Sequence, residues 1–254
     1  VRADRAIAIV GAGICGLAAA IALRRAGFEV EVFEQAAKFG RIGAAINLCP
    51  NAVKVLDGLG LGPALRERGH IPAYRNSLVD DTGAETSRVD LTDAEARYGA
   101  PGIMTHRADL LSALENAVPA DAVHLGHRLI AIEPHADHVT LTFADGSQRE
   151  AAALIGADGI HSIVRGHLFG AEQPTYSGMT AYRGIVPKGR LPELDFSGST
   201  KWWGPTLKSQ LVTFSINRGT EVFVFATHEQ PEAARESWSA EAEVEELHAA
   251  FAAY

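Results

Sequence analysis

Several features are scarce in this 254-residue sequence, and each scarcity argues against a class of protein. Only two cysteines are present, Cys15 and Cys49, so a disulfide framework is not expected and a reducing compartment is the simplest environment. No apolar run reaches membrane-spanning length, because Arg24 and Arg25 interrupt the first predicted helix. No secretory signal is recognisable. We therefore expect a cytoplasmic protein with no membrane partner.

Positive charge is also scarce. The chain has 23 Lys and Arg against 31 Asp and Glu, a formal net charge of −8, and no basic cluster. Nucleic acid is therefore not an expected partner. In contrast, the apolar fraction of 47% and the charged fraction of 21% are ordinary for a globular protein. A chain of this length can bury a large core in one or two domains.

A glycine-rich turn near the start of the chain predicts a dinucleotide-binding unit. The apolar run 7–10 predicts a buried strand, and residues 11–16 then read Gly-Ala-Gly-Ile-Cys-Gly. A helix is predicted for 15–26 and a second strand for 29–33. A strand, a glycine turn and a helix in this order are the context that the G-x-G-x-x-G fingerprint requires.

Each fingerprint residue has an expected role. Gly11 allows the tight turn, Gly13 lets a pyrophosphate approach the backbone, and Gly16 lets the helix pack closely. The amides and dipole at the helix start favour the negative phosphates. Glu34 follows the second strand and is expected to bind ribose hydroxyls, which favours FAD or NAD over a 2′-phosphorylated nucleotide. An ordinary glycine turn would leave Glu34 and the glycine spacing unexplained.

A second strand, turn and helix pattern lies at 154–165, Leu-Ile-Gly-Ala-Asp-Gly-Ile-His-Ser-Ile-Val-Arg. With this run, the chain resembles the FAD-dependent aromatic-ring hydroxylases (group A flavoprotein monooxygenases), whose second fingerprint lies near the pyrophosphate. Thr-His-Arg-Ala-Asp-Leu at 105–110 resembles their His-Arg-x-x-Leu element, and 43–52 resembles the segment beside the flavin. The runs 181–184 and 201–203 resemble the 6-hydroxynicotinate 3-monooxygenase and 3-hydroxybenzoate 6-hydroxylase branches, and the class also includes salicylate hydroxylase.

The resemblance implies FAD as cofactor, with NADH or NADPH as a transient co-substrate. It implies an oxidoreductase of aromatic catabolism in which a flavin C4a-hydroperoxide, formed with O₂, hydroxylates a small aromatic hydroxy acid or phenol. The FAD-binding residues that it implies are Gly11, Gly13, Ile14, Gly16, Glu34, Gln35, Asn47, Arg107, Leu129 and Asp158.

The substrate residues depart from the family pattern. In the branches named above, the strand matching 210–214 carries a His and a Tyr near the substrate hydroxyl, whereas Gln210, Thr213 and Phe214 stand here. Gln cannot act as a base and Phe lacks the hydroxyl, so no catalytic base is assigned. Arg183 is open to two roles, pairing with a substrate carboxylate or forming an ion pair on its strand. The candidate substrate contacts are Asn47, Arg183, Gln210, Thr213 and Phe214.

The resemblance also implies an α/β fold of the para-hydroxybenzoate hydroxylase type, in which a mostly β substrate domain is inserted into a Rossmann-like FAD-binding domain. We predict the FAD-binding domain over 1–70 and 102–178 and the substrate domain over 71–101 and 179–254. Family members continue past the residue that matches Tyr254 with a third flavin motif, so we expect a C-terminally incomplete chain. A homodimer is a further possibility.

Three other interpretations are weaker. The spacing H-x2-H-x7-H-x2-H at 124–138 suggests a metal site, but these histidines fall across strand ends and a turn, and no metal is expected. A FAD-dependent halogenase would carry a Trp-x-Trp-x-x-Ile-Pro motif, which Trp-Trp-Gly-Pro at 202–205 does not match. A non-catalytic dinucleotide-binding protein would not explain the second fingerprint.

Overall fold

The computed structural model describes residues 5–40, 43–79, 81–204, 206, 208–230, 241 and 243–252. Its strands are β1 Ile7–Val10, β2 Val30–Glu34, β3 Ala45–Leu48, β4 Tyr74–Val79, β5 Glu85–Asp90, β6 Ile103–His106, β7 Val123–Leu125, β8 Leu129–Pro134, β9 Val139–Phe143, β10 Gln148–Ala151, β11 Ala153–Gly156, β12 Met179–Pro187, β13 Ser199–Trp203, β14 Gln210–Ile216 and β15 Glu221–Glu229. Its α-helices are α1 Ile14–Arg25, α2 Pro50–Gly58, α3 Gly62–Arg68, α4 Ala94–Tyr98, α5 Arg107–Asn116, α6 Ile163–Phe169 and α7 Val244–Ala250. No helix among the described residues combines the length and the apolar character needed to cross a membrane.

The chain divides into two compact units. The first unit comprises 1–41 and 111–175, and the second comprises 42–110 and 176–254. The domain boundaries predicted from the sequence differ mainly in placing the segments 42–70 and 102–110 with the first unit. Which residues form the cofactor and substrate domains stays a prediction.

The first unit contains a parallel sheet of the Rossmann type. Its strand order is β11-β1-β2-β7, and every neighbouring pair is parallel. Helix α1 connects β1 to β2, as the fingerprint predicts. A second, antiparallel sheet of order β10-β9-β8 packs close by, and one core cluster joins Val10 and Phe33 to Leu141 and Phe143. Burial of β1 on both faces explains why its sequence is uniformly apolar.

The second unit is built on a six-stranded sheet of order β12-β15-β14-β13-β4-β5. Strand β13 runs parallel to β4, and the other neighbouring pairs are antiparallel. A two-stranded ladder of β3 and β6 packs against this sheet through a cluster that includes Met104, Phe214 and Phe223, with Ala44 and Ala45 at its margin. We call the face of the six-stranded sheet that carries Phe214 the ladder face.

The predicted α/β fold with a Rossmann-type sheet is confirmed. The apolar patterns and turn residues of the sequence also predict strands over 74–79, 123–125, 139–143 and 210–216, and the structure has strands with these bounds. The sequence also predicts a last helix from about 240 to 252, with Ser239 as a candidate N-cap. The observed helix α7 starts later, at Val244, and Ser239 lies outside the described residues.

Candidate functional site

The glycine turn after β1 is held by two close backbone approaches. Gly11 has a φ of +102°, and a Cβ at this position would lie 2.3 Å from the Ala157 carbonyl oxygen. Its amide donates to the Phe33 carbonyl at 2.8 Å. A side chain would therefore be strained by both conformation and space, which explains why glycine stands here.

The other two fingerprint glycines differ from each other. A Cβ on Gly16 would lie 1.8 Å from the Gly11 carbonyl oxygen, so Gly16 lets α1 start directly on the turn. Gly13 is the N-cap of α1, just before Ile14, and a Cβ there would meet nothing within 4 Å. The open side of Gly13 leaves room for a group that approaches the amides of the helix start, as phosphates do.

Glu34 ends β2 and reaches back to the glycine turn. Its Oε2 atom accepts a hydrogen bond from the Ala12 amide at 2.8 Å, and its Oε1 atom accepts one from the Ala36 amide at 2.9 Å. The carboxylate is therefore fixed by two backbone donors. Each oxygen keeps a lone pair that could accept a hydroxyl hydrogen bond.

The second fingerprint forms a turn beside the first. Val10 pairs with Gly156, and the Ala157 amide donates to the Val10 carbonyl at 2.8 Å. The Asp158 carboxylate accepts hydrogen bonds from the Ser162 hydroxyl at 2.5 Å and from the Ile163 amide at 2.7 Å. Asp158 therefore caps α6, with Ser162 as the N-cap residue that accepts from the Arg165 amide at 2.9 Å.

These turns meet at one edge of the parallel sheet. The strands β1, β2 and β11 are neighbours, and their carboxyl ends carry the glycine turn, Glu34 and the Asp158 turn. From β1 the chain continues through α1 to β2, which lies on one side of β1. Strand β11 pairs with β1 on the other side. Parallel α/β sheets bind ligands outside their carboxyl ends at such switch points.

Two further residues of the predicted FAD set lie in the first unit and differ in exposure. Gln35 is exposed directly after β2. Leu129 is 3% exposed and belongs to the core cluster with Phe33 and Phe143. Any contact of residue 129 with a ligand would therefore use its backbone, because its side chain serves the core.

The remaining members of the predicted FAD set, Arg107 and Asn47, lie in the second unit. Arg107 begins α5, and its amide donates to the Ala44 carbonyl at 2.8 Å. Its side chain runs along Gly43, whose φ is +110° and whose Cβ would lie 3.1 Å from Arg107 Cδ. Asn47 is exposed on β3 and pairs with Met104, so the two residues share one face of the ladder.

The predicted substrate residues on β14 point to both faces of the six-stranded sheet. Gln210 and Phe214 lie on the ladder face, and Thr213 lies on the opposite face because side chains alternate along a strand. Arg183 shares the ladder face, since it pairs with Phe225 and Phe225 pairs with Val212. The ladder face thus brings three of the four sheet candidates to one side. Thr213 is buried, and its hydroxyl has no hydrogen-bond partner among the described residues.

Residues 4–253 match the sequence profile of the FAD binding domain family. The chain belongs to the FAD binding domain family.

Named relatives of this FAD binding domain are monooxygenases. It is 38% identical over 254 residues to 6-hydroxynicotinate 3-monooxygenase of Bordetella bronchiseptica, covering 98% of this chain and 65% of that protein. It is 37% identical over 240 residues to 3-hydroxybenzoate 6-hydroxylase of Polaromonas naphthalenivorans, covering 91% of this chain and 58% of that protein.

A solved structure agrees with the sequence relatives. The crystal structure of Klebsiella pneumoniae HpxO complexed with FAD and uric acid matches at a TM-score of 0.84 with 27% identity, over 98% of this chain and 62% of that one. The FAD binding domain described here thus spans slightly less than two thirds of these proteins. The resemblance to the aromatic-ring hydroxylases is confirmed, and these relatives do not favour the halogenase alternative.

Sequence reasoning missed one polar residue of this FAD binding domain. Lys201 on β13 pairs with Val212, so its side chain lies on the ladder face, and its Nζ atom lies 3.4 Å from the centroid of the Trp203 ring. Burial lowers the pKa of the Lys201 ammonium from its ordinary value. The sequence signals for Lys201 are its place in the family-like run 201–203 and its charge beside two tryptophans, and neither signal assigns it a role. Trp202 and Trp203, which the sequence suggested as a pair, point to opposite faces.

The four spaced histidines fall into two separate groups in this FAD binding domain. The rings of His124 and His127 pack around Phe33, and the rings of His135 and His138 stack at a centroid distance of 4.3 Å beside the β8–β9 turn. Among the described residues, no group of three or more His, Cys, Asp or Glu side chains is arranged to hold a metal ion.

Proposed function

We propose that this chain is the FAD-binding part of an NAD(P)H-dependent monooxygenase that hydroxylates a small aromatic hydroxy acid or phenol. The observation that carries the proposal is the edge of the parallel sheet where the glycine turn, Glu34 and the Asp158 turn meet. The family match and the named relatives support the reaction class.

The residues at this edge fit FAD. At Gly11 and Gly16, neighbouring backbone atoms occupy the space that a side chain would need, so these two glycines shape the turn. The space beside Gly13 is open and suits a pyrophosphate at the helix start. The Glu34 carboxylate is held in place by the amides of Ala12 and Ala36 and suits the hydroxyls of a ribose. The same carboxylate disfavours a 2′-phosphate through repulsion between like charges.

The remaining members of the predicted FAD set belong to the same proposal. Ile14 starts α1 beside the open glycine, and Gln35 follows the ribose-binding acid. Asp158 would act mainly by fixing its turn, since its carboxylate already caps α6. Within the predicted set, Arg107 supplies a cation and Asn47 an amide. When bound, FAD supplies the activation of O₂ with electrons from NADH or NADPH.

The ladder face is the proposed substrate surface. Beside the buried Phe214, it presents the partly buried side chains of Val212 and Phe225, on which an aromatic ring can lie. Gln210 at the same face can hydrogen-bond a substrate oxygen, but it cannot take a proton from it. The protein's task is then to orient the ring and keep water away, which protects a reactive oxidant from wasteful decay.

The test uses the full-length protein. We expect a yellow protein with flavin absorbance near one FAD per chain, and NAD(P)H oxidation and O₂ uptake that specific aromatic acids or phenols stimulate with matching hydroxylated product. A colourless protein that binds no added FAD would contradict the cofactor assignment. Flavin binding without any coupled hydroxylation across a broad aromatic panel would contradict the reaction. Product that carries halogen would instead establish the halogenase alternative.

A further inference from the structure

Lys201 occupies an unusual position for a lysine. Its strand β13 lies inside the six-stranded sheet, between β4 and β14, and its side chain projects from the ladder face beside Val212 and Ser77. It is partly buried, whereas lysines normally keep their ammonium in water. A cation at this place therefore needs a physical reason.

The immediate surroundings hold the ammonium without neutralising it. The Trp203 ring, two residues along the same strand, lies under the Nζ atom at 3.4 Å and stabilises the cation through its π face. Across the sheet, the row continues through Val212 and Phe225, which carry no charge. No carboxylate in the described part of the chain pairs with Lys201. The ammonium thus keeps hydrogen-bond donors for an acceptor that the described residues do not provide.

The other cation of this row is placed differently. Arg183 lies on β12, which is an edge strand, and it is exposed. Lys201 lies in the sheet interior and in a less polar environment, where an ionic hydrogen bond is stronger than in water. Of the two, Lys201 is therefore the better placed to hold an anion against the partly buried side chains of Val212 and Phe225.

We propose that Lys201 binds an anionic oxygen of the aromatic substrate, either a carboxylate or a phenolate, and so determines that the enzyme takes aromatic anions rather than neutral rings. This inference rests on the function proposed above. Gln210, which pairs with Trp203 on the adjacent strand, is positioned to hydrogen-bond a second polar group of the same ligand. The lowered pKa of Lys201 agrees with a desolvated cation that an anionic ligand would stabilise.

The experiment compares matched anionic and neutral probes by calorimetric titration of the FAD-loaded full-length protein. One pair is benzoate and benzamide, and the other is 4-nitrophenol, at a pH where it is ionised, and 4-nitroanisole. The variants are Lys201→Met, which keeps a straight side chain without charge, and Lys201→Arg, which keeps the charge. Lys208→Met is the matched control, because Lys208 is already paired with Glu229 at 2.8 Å. Arg183→Met tests the competing cation.

We expect the wild type to prefer the anion in at least one pair, and the pair that shows the preference identifies carboxylate or phenolate as the group. Lys201→Met should weaken that anion about tenfold or more and leave its neutral partner unchanged, since one charged hydrogen bond is lost. Lys201→Arg should stay near the wild type, and Lys208→Met should match it. Unchanged melting temperatures would show that the loss is not unfolding.

Three results would overturn the proposal. The first is an anion-to-neutral affinity ratio that Lys201→Met does not change. The second is a loss that follows Arg183→Met instead. The third is a wild type that binds none of the probes or prefers the neutral ones. FAD content and coupled hydroxylation are measured on the same samples, so that this failure can be separated from failure of the proposed function. Hydroxylation can persist without Lys201-dependent selectivity, and anion selectivity can persist in a protein that does not hydroxylate.

Discussion

Three glycines of one motif serve different physical purposes, and this difference can be tested residue by residue. Gly16 faces the Gly11 carbonyl, whereas Gly13 faces open space. We expect Gly16→Ala to lower the free energy of unfolding by about 1–3 kcal/mol, because the added methyl group overpacks the turn. Gly13→Ala should leave folding close to wild type and weaken FAD binding. Thermal unfolding without FAD and fluorescence titration with FAD measure the two effects.

A helix glycine that faces open space, Gly166 in α6, provides the control for this pair, since Gly166→Ala should affect neither FAD affinity nor the turn. FAD affinity that survives Gly13→Ala would show that no phosphate approaches residue 13. A Gly16→Ala protein as stable as wild type would show that α1 can shift away from the turn.

Glu34 combines a structural contact with the proposed ribose contact. Its carboxylate accepts from the Ala12 amide at 2.8 Å, so it fixes the turn as well as facing the nucleotide. We expect Glu34→Ala to weaken FAD binding by about 1.5–3 kcal/mol, the usual value of a hydrogen bond to a charged group. Glu29→Ala is the control, because Glu29 is exposed and lies 3.9 Å from Arg24 in a surface ion pair. Equal FAD affinity in the two variants would remove Glu34 from the site.

At the scale of elements, the sequence predicts the positions of several strands well. The choice of substrate candidates did not take into account which face of the sheet each side chain occupies. Period-2 patterns and turn residues located β4, β9 and β14, since local chemistry fixes these strands. The candidates Thr213 and Phe214 were grouped although neighbours on a strand point to opposite sides. Strand β13 was not predicted, because its environment is set by β4 and β14, which are distant in sequence.

Separation along the sequence also explains why the fingerprint site was easier to predict than the surroundings of Lys201. The fingerprint site is local in sequence, so glycine spacing and the position of Glu34 are sufficient to locate it. The surroundings of Lys201 arise only when β13 pairs with β14 and exposes the ladder face. Asp158 was found as a motif residue, but its capping of α6 required the path of the turn.

A loop beside the six-stranded sheet contains hydrogen bonds whose contribution to stability depends on pH. Asp195 accepts from the Ser197 amide at 2.8 Å and from the Tyr74 hydroxyl at 2.8 Å, and these bonds lower the pKa of the Asp195 carboxyl below its ordinary 3.8. A lowered carboxyl pKa adds stability that is present above the ordinary value and is lost as the pH falls through the folded-state value.

We therefore expect Asp195→Asn to lower stability near neutral pH by about 1 kcal/mol or less, because the site is exposed, and to differ less from wild type below the ordinary carboxyl range. Thermal unfolding at several pH values between neutral and strongly acidic conditions measures the difference. Glu193→Gln, on the same loop and exposed, is the control. A constant difference at every pH would mean that Asp195 acts through packing rather than through its charge.

At the scale of the whole molecule, FAD should act as a ligand that stabilises the native state. A ligand that binds only folded protein adds about 2.7 kcal/mol when its concentration is one hundred times its Kd. For a chain of this size, that corresponds to a rise in Tm of about 5–10 °C. Gly13→Ala and Arg107→Met should each reduce the rise, because both residues belong to the proposed FAD set. Differential scanning calorimetry with and without FAD measures it, and Arg25→Met, at the far end of α1, is the control. If Arg107→Met keeps the full FAD-induced rise while Gly13→Ala loses it, then Arg107 does not contact FAD and serves only the start of α5.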